Sequence, residues 1–173
     1  MTTTYAIRNK NLKPIPQEND ATCWLAAYQM MFDWKGKTKD SIQTLLEAAL
    51  TKKRSDESFL KGLDKSDWEK AAKAFGMNSV AGKKPFTASE LAGYLANGPV
   101  LVHGKFALGL HSIVITAVTV ADNSWEEDRE STTYINPYWK GDKVVSPRTS
   151  FFKDYLKQGV ENNNGVAGVI QYW

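Results

Sequence analysis

A change of pattern at Pro99 constrains the fold of this 173-residue chain more than any other feature. Upstream, apolar residues recur at helical spacing in short segments closed by turn residues; downstream, β-branched runs take over. From Ala21 to Trp34, Leu25, Tyr28, Met31 and Phe32 fall on one face, with Asp20 or Thr22 placed as N-cap. A second helix is predicted from Thr38 to about Leu50, with Ile42, Leu45, Leu46 and Ala49 inward. The stretches SDWE (Ser66 to Glu69) and TASE (Thr87 to Glu90) have the spacing of capping boxes, and the segments they open stop at Gly76 and Gly98. After Pro99, PVLVHG, LHSIVITAVTVA, STTYINP, DKVVS and GVAGVIQYW read as strands, interrupted by one helix from about Thr149 to Gln158. The expectation is an α+β fold in one domain spanning residues 1–173. A helical half (about 14–98) packs on a mostly antiparallel sheet (about 99–173), with a cleft between them.

Composition supports a packed core: 42% of residues are hydrophobic and 24% charged, the balance of an ordinary globular domain. A net charge of +3 is too small to argue for nucleic-acid binding, and the basic clusters KGKTK, TKKR and AGKK lack interleaved aromatic residues. The apolar-rich run Ile113 to Ala121 is far shorter than a membrane span, and the N-terminal stretch has no apolar signal core. With one cysteine and two histidines, neither an internal disulfide nor a zinc site of the usual ligands is expected.

That single cysteine carries the functional argument. Cys23 stands at the first turn of a predicted helix, where unpaired N–H groups and the helix dipole favour a thiolate. A nucleophile of this kind needs a base, and a third group to hold the base in its useful tautomer. The base is His103 or His111. His111 opens a long buried strand and is the better held; His103 closes PVLVHG and is read as pocket-lining or structural. Asn136, before the stiffening Pro137, offers the acceptor oxygen that would orient the imidazole. Gln17, six positions before Cys23, is placed to join the Cys23 N–H in an oxyanion hole. Trp24 is read as core, and Tyr138 and Trp139 as residues that shield the His–Asn pair or line the cleft.

The ordered motifs Q-x5-C-W, H-S-I-V-I-T-A-V and I-N-P-Y-W-K-G resemble those of papain-fold cysteine peptidases, and cover about Gln17 to Gly141. The short length, LANGPVLV ahead of the histidine strand and the NPY turn resemble the compact bacterial branch. That branch holds the double-glycine, bacteriocin-processing peptidases and papain-like effector toxins. Its members usually have Asp-Pro where this chain has Asn136-Pro137; asparagine is the choice of papain itself.

The resemblance implies a cysteine protease cleaving a protein target with Cys23, His111 and Asn136, needing no cofactor. It implies an effector toxin delivered by a specialised secretion system, cytoplasmic in the producer and acting in the target-cell cytoplasm. A cognate immunity protein would be its inhibitor. The same triad also serves deamidation and transglutamination, and a papain-fold module can bind peptide without cutting it.

Overall fold

The structure is a computed structural model. It describes residues 1–8, 12–38, 40–50, 63, 65–82, 86–106, 109–122, 129–138, 144–145 and 168–173. Among these, helices α1 (Cys23–Lys35), α2 (Asp40–Leu50), α3 (Lys65–Phe75) and α4 (Ala88–Leu95) accompany seven strands. These are β1 (Thr2–Ala6), β2 (Asn78–Gly82), β3 (Val100–Phe106), β4 (Gly109–Ala121), β5 (Ser131–Ile135), β6 (Val144–Val145) and β7 (Gly168–Tyr172). The strands form one sheet of order β2-β7-β3-β4-β5-β6, with β1 also pairing β4. Every pairing is antiparallel. Residues Ala117 to Thr119 of β4 pair with both β1 and β5. β1 therefore lies on the same side of β4 as β3, beyond the reach of β3.

The helix ends follow from local chemistry. Gly36 and Gly76 adopt φ of 71° and 68°, left-handed values that glycine takes without steric cost, and so close α1 and α3. After Gly36, the Lys37 N–H returns to Phe32 O. At Thr87 both halves of the expected capping box are present. The Ser66 box is not an N-terminus: α3 already includes Lys65, so Ser66 lies inside its first turn. The helix predicted at Thr149 to Gln158 falls outside the described residues.

Two apolar clusters lie on opposite faces of the sheet. On one face α1 (Tyr28, Met31, Phe32) packs with Ile42 and Leu46 of α2, Ala72 and Phe75 of α3, and Leu101, Val114 and Ile135 of the sheet. On the other, Leu91 and Leu95 of α4 pack with Val100, Val102, Ile113, Ile115 and Ile170. Coverage of both faces explains why β3 and β4 are apolar almost continuously rather than alternating. It also revises the reading of α1. Trp24, Ala26, Ala27 and Met30 are buried as well, because this helix is enclosed by two others and the sheet.

Candidate active site

Cys23 is the first residue of α1, preceded by Thr22 at the N-cap position. The Thr22 hydroxyl does not cap the helix. It turns back to accept the N–H groups of Glu18 and Asn19, each at 3.1 Å. Thr22 therefore pins the approach loop and gives the positive end of α1 no side-chain oxygen. The Cys23 thiol lies within hydrogen-bonding reach of the backbone and hydroxyl of Ser112, and of the backbone N–H groups of Trp24 and Cys23 itself.

Burial decides the protonation state of this sulfur. Cys23 is 5% exposed, and loss of water pushes its thiol above its ordinary range; the hydrogen bonds to Ser112 and the helix start act in the opposite sense without offsetting it. The sequence expectation of a thiolate is thus corrected. The helix start contributes in the predicted direction, but desolvation of a charged sulfur is the larger effect.

Ser112 directly follows His111 in β4, so the sulfur meets the strand beside the candidate base. His111 Nε2 lies 2.7 Å from Asn136 Oδ1. That oxygen also accepts the backbone N–H of Tyr138 at 3.0 Å, which fixes the orientation of the Asn136 amide. Two donors on one oxygen require the His111 proton to sit on Nε2, leaving Nδ1 as the acceptor of the neutral ring. Burial pushes His111 below its ordinary range, against the opposite effect of Asn136. Both shifts favour the uncharged forms, a thiol at Cys23 and a neutral imidazole at His111.

The Gln17 backbone N–H donates to Pro137 O at 3.1 Å, fastening the loop before α1 to the turn after Asn136. Gln17 Nε2 donates one hydrogen to Asn19 O at 2.7 Å, and its Oε1 is buried without a partner among the described residues. Asn136 is 8% exposed, whereas Tyr138 at 50% and Leu110 at 47% are open to solvent beside it and His111. Trp139 lies outside the described residues.

His103 does not line an open cleft. It has no exposed surface, stacks on Trp68 with ring centroids 4.7 Å apart, and its Nδ1 is 2.8 Å from Ser112 Oγ. Its other nitrogen is 3.4 Å from Tyr28 Oη, which donates to Gln171 Oε1 at 2.6 Å. Gln171 Nε2 in turn donates to Trp68 O at 2.8 Å. Sequence reasoning missed Ser112, Tyr28 and Gln171 as a set. Their meeting depends on β3 pairing with both β4 and β7, which no local pattern announces. Among the described residues, no three side chains of metal-ligating type converge.

A family model, Peptidase_C70, described as papain-like cysteine protease AvrRpt2, matches residues 7–155. The chain belongs to this family. The papain-like protease is therefore a cysteine-type peptidase by family. Among curated proteins no relative matches. Among solved structures, it is similar to the peptidase domain of Streptococcus ComA, a bi-functional ABC transporter involved in a quorum-sensing pathway. The likeness has a TM-score of 0.56 at 16% identity and covers 94% of this chain and 97% of that domain. At that identity it supports the fold, and it agrees with the compact bacterial form read from the motifs.

Proposed function

We propose that this papain-like protease cleaves a protein target with Cys23 as nucleophile, His111 as base and acid, and Asn136 as the group that orients His111. The observation that carries the reading is the 2.7 Å contact between His111 Nε2 and Asn136 Oδ1, on the strand residue next to the one that touches the thiol. With Nε2 protonated, Nδ1 accepts the thiol proton as sulfur attacks the peptide carbonyl. The resulting imidazolium is stabilised through Nε2–H by Asn136.

The oxyanion would form at the start of α1, where the Cys23 N–H and the second hydrogen of the Gln17 amide are its donors. His111 then protonates the leaving amine, and water, deprotonated by the same ring, releases the acyl group. The exposed Tyr138 beside this site would contact substrate.

The setting we favour is an effector toxin, carried by a specialised secretion system into a target cell and restrained in its producer by a cognate immunity protein. Its support is the likeness of the motifs to the compact bacterial branch. Among the described residues no helix is long and apolar enough to cross a membrane.

The test is a proteome-wide map of new protein N-termini in cells producing wild type, Cys23→Ala or His111→Ala. New termini in wild type alone are expected. Termini that persist in Cys23→Ala would refute the reading. A one-dalton gain or a cross-linked adduct without new termini would assign the same acyl chemistry to deamidation or transglutamination.

A further inference from the structure

The loop that brings Gln17 to the start of α1 is gathered at one carbonyl. Asn19 O accepts Gln17 Nε2 at 2.7 Å, the Thr22 N–H at 3.2 Å and the Thr22 hydroxyl at 3.1 Å. A single oxygen therefore stands between the Gln17 amide and the residue that immediately precedes Cys23.

Thr22 is 7% exposed, and its hydroxyl is fully used. Its one hydrogen goes to Asn19 O, and its two lone pairs take the N–H groups of Glu18 and Asn19. The same hydroxyl thus holds both the N–H and the C=O of Asn19, which leaves that carbonyl little freedom to turn. Asn19 Oδ1 tightens the turn further by accepting the Ala21 N–H at 3.0 Å. From the other direction, the Gln17 N–H is fastened to Pro137 O, directly after Asn136. The Gln17 backbone is held by the turn that carries the partner of His111, and its side chain by the carbonyl that Thr22 fixes.

We propose that Thr22 is a positioning residue for the oxyanion hole: through Asn19 O it holds the Gln17 amide with one hydrogen spent and the other available beside the Cys23 N–H. The proposal rests on the reading of Cys23 as nucleophile and Gln17 as oxyanion donor. Thr22 stands at the N-cap position yet makes no side-chain cap bond, so its hydroxyl stabilises the Gln17 loop rather than α1. A donor already in place needs no reorganisation when charge develops on the substrate oxygen, whereas a swinging amide would have to be ordered at that moment.

The test compares two probes of the chain's single thiol. With p-nitrophenyl acetate, sulfur adds to the ester carbonyl as the thiol proton passes to His111. The oxyanion then collapses, p-nitrophenolate leaves, and an acetyl thioester remains on Cys23. Iodoacetamide instead loses iodide from a saturated carbon and forms no oxyanion. Thr22→Val keeps the shape of the side chain and removes the hydroxyl. It is expected to slow acetylation, followed by intact mass, about tenfold or more, while the alkylation rate changes less than about twofold. Thr22→Ser should restore acetylation to within about threefold of wild type. In a Gln17→Ala background, Thr22→Val should have no further effect, because the group it positions is gone.

Equal acetylation of wild type and Thr22→Val would overturn the proposal. So would a matching loss with both probes, which would place Thr22 in support of α1 or the sulfur, and so would a further loss in the Gln17→Ala background. Wild type that forms no acetyl-Cys23 would overturn the nucleophile reading and the proposal together. Where wild type acetylates and only the variants disagree, the proposal alone fails.

Discussion

Replacing His103 with glutamine should flatten the acid limb of this protein's stability curve. In the fold the His103 ring has no exposed surface and is pushed down from an ordinary 6.5 to about 3, by burial first, against a weaker opposing contact with Gln171. The unfolded chain binds a proton on this ring below pH 6.5 while the folded chain refuses it. The stability from this site is fully present above 6.5 and is lost as pH falls from 6.5 through about 3. At about 1.4 kcal/mol per pH unit, the loss between pH 7.5 and 4.5 is about 3 kcal/mol. The whole interval would cost about 5 kcal/mol, a large part of a typical domain's stability.

Urea unfolding of wild type and His103→Gln at half-unit steps from pH 7.5 to 4.5 measures the effect. The variant is expected to be weaker at pH 7.5, because glutamine cannot reproduce the hydrogen bonds of the ring, yet to lose about 3 kcal/mol less than wild type over the interval. Other titrating groups, His111 included, are common to both proteins and cancel in the difference. Parallel curves would refute the argument, as would an NMR titration of His103 in the folded wild type centred near 6.5.

Gly98→Ala should destabilise the fold by roughly 3 kcal/mol or more. Gly98 has φ +133°, and an added Cβ would lie 2.3 Å from Trp34 Cη2 and 2.8 Å from Cζ2 and Cζ3; an unchanged Tm would refute this account of the turn. Thr87→Ala, which removes the hydroxyl accepting the Glu90 N–H at 3.1 Å, should cost about 1 kcal/mol in chemical denaturation, with Thr87→Ser close to neutral. Equal losses in the two would show that the cap is not the cause. Asn136→Ala removes the acceptor of His111 Nε2–H, and kcat for peptide cleavage should fall at least about tenfold with little change in KM. A rise in KM alone would place Asn136 in substrate binding instead.

Much of this architecture was legible because local chemistry agreed with the fold. The capping box at Thr87, the stop at Gly76 and the β-branched runs of β3 and β4 each specify an element within a few residues. β1 was not legible: all five of its residues are exposed, so it has no buried face to impose alternation. α1 was read as one-sided because periodicity cannot reveal that α2, α3 and the sheet all close on it.

At the site, the pairing of His111 with Asn136 followed from two strand ends lying side by side, a property of sequential antiparallel strands. The state of Cys23 could not be read in the same way. A helix start is visible in sequence, whereas the desolvation that outweighs it depends on how deeply the finished fold buries the sulfur. The role of His103 was hidden for a related reason, since its partners arrive from β4, α1, α3 and β7.

The claim that Cys23 attacks with His111 as its base is tested most directly by an irreversible peptidyl epoxide and intact-mass analysis. Wild type should gain a single adduct, mapped to the peptide containing Cys23, with none in Cys23→Ala and a much slower reaction in His111→Ala. A sulfur left unmodified after prolonged exposure, or an adduct forming as fast without the His111 ring as with it, would contradict the account.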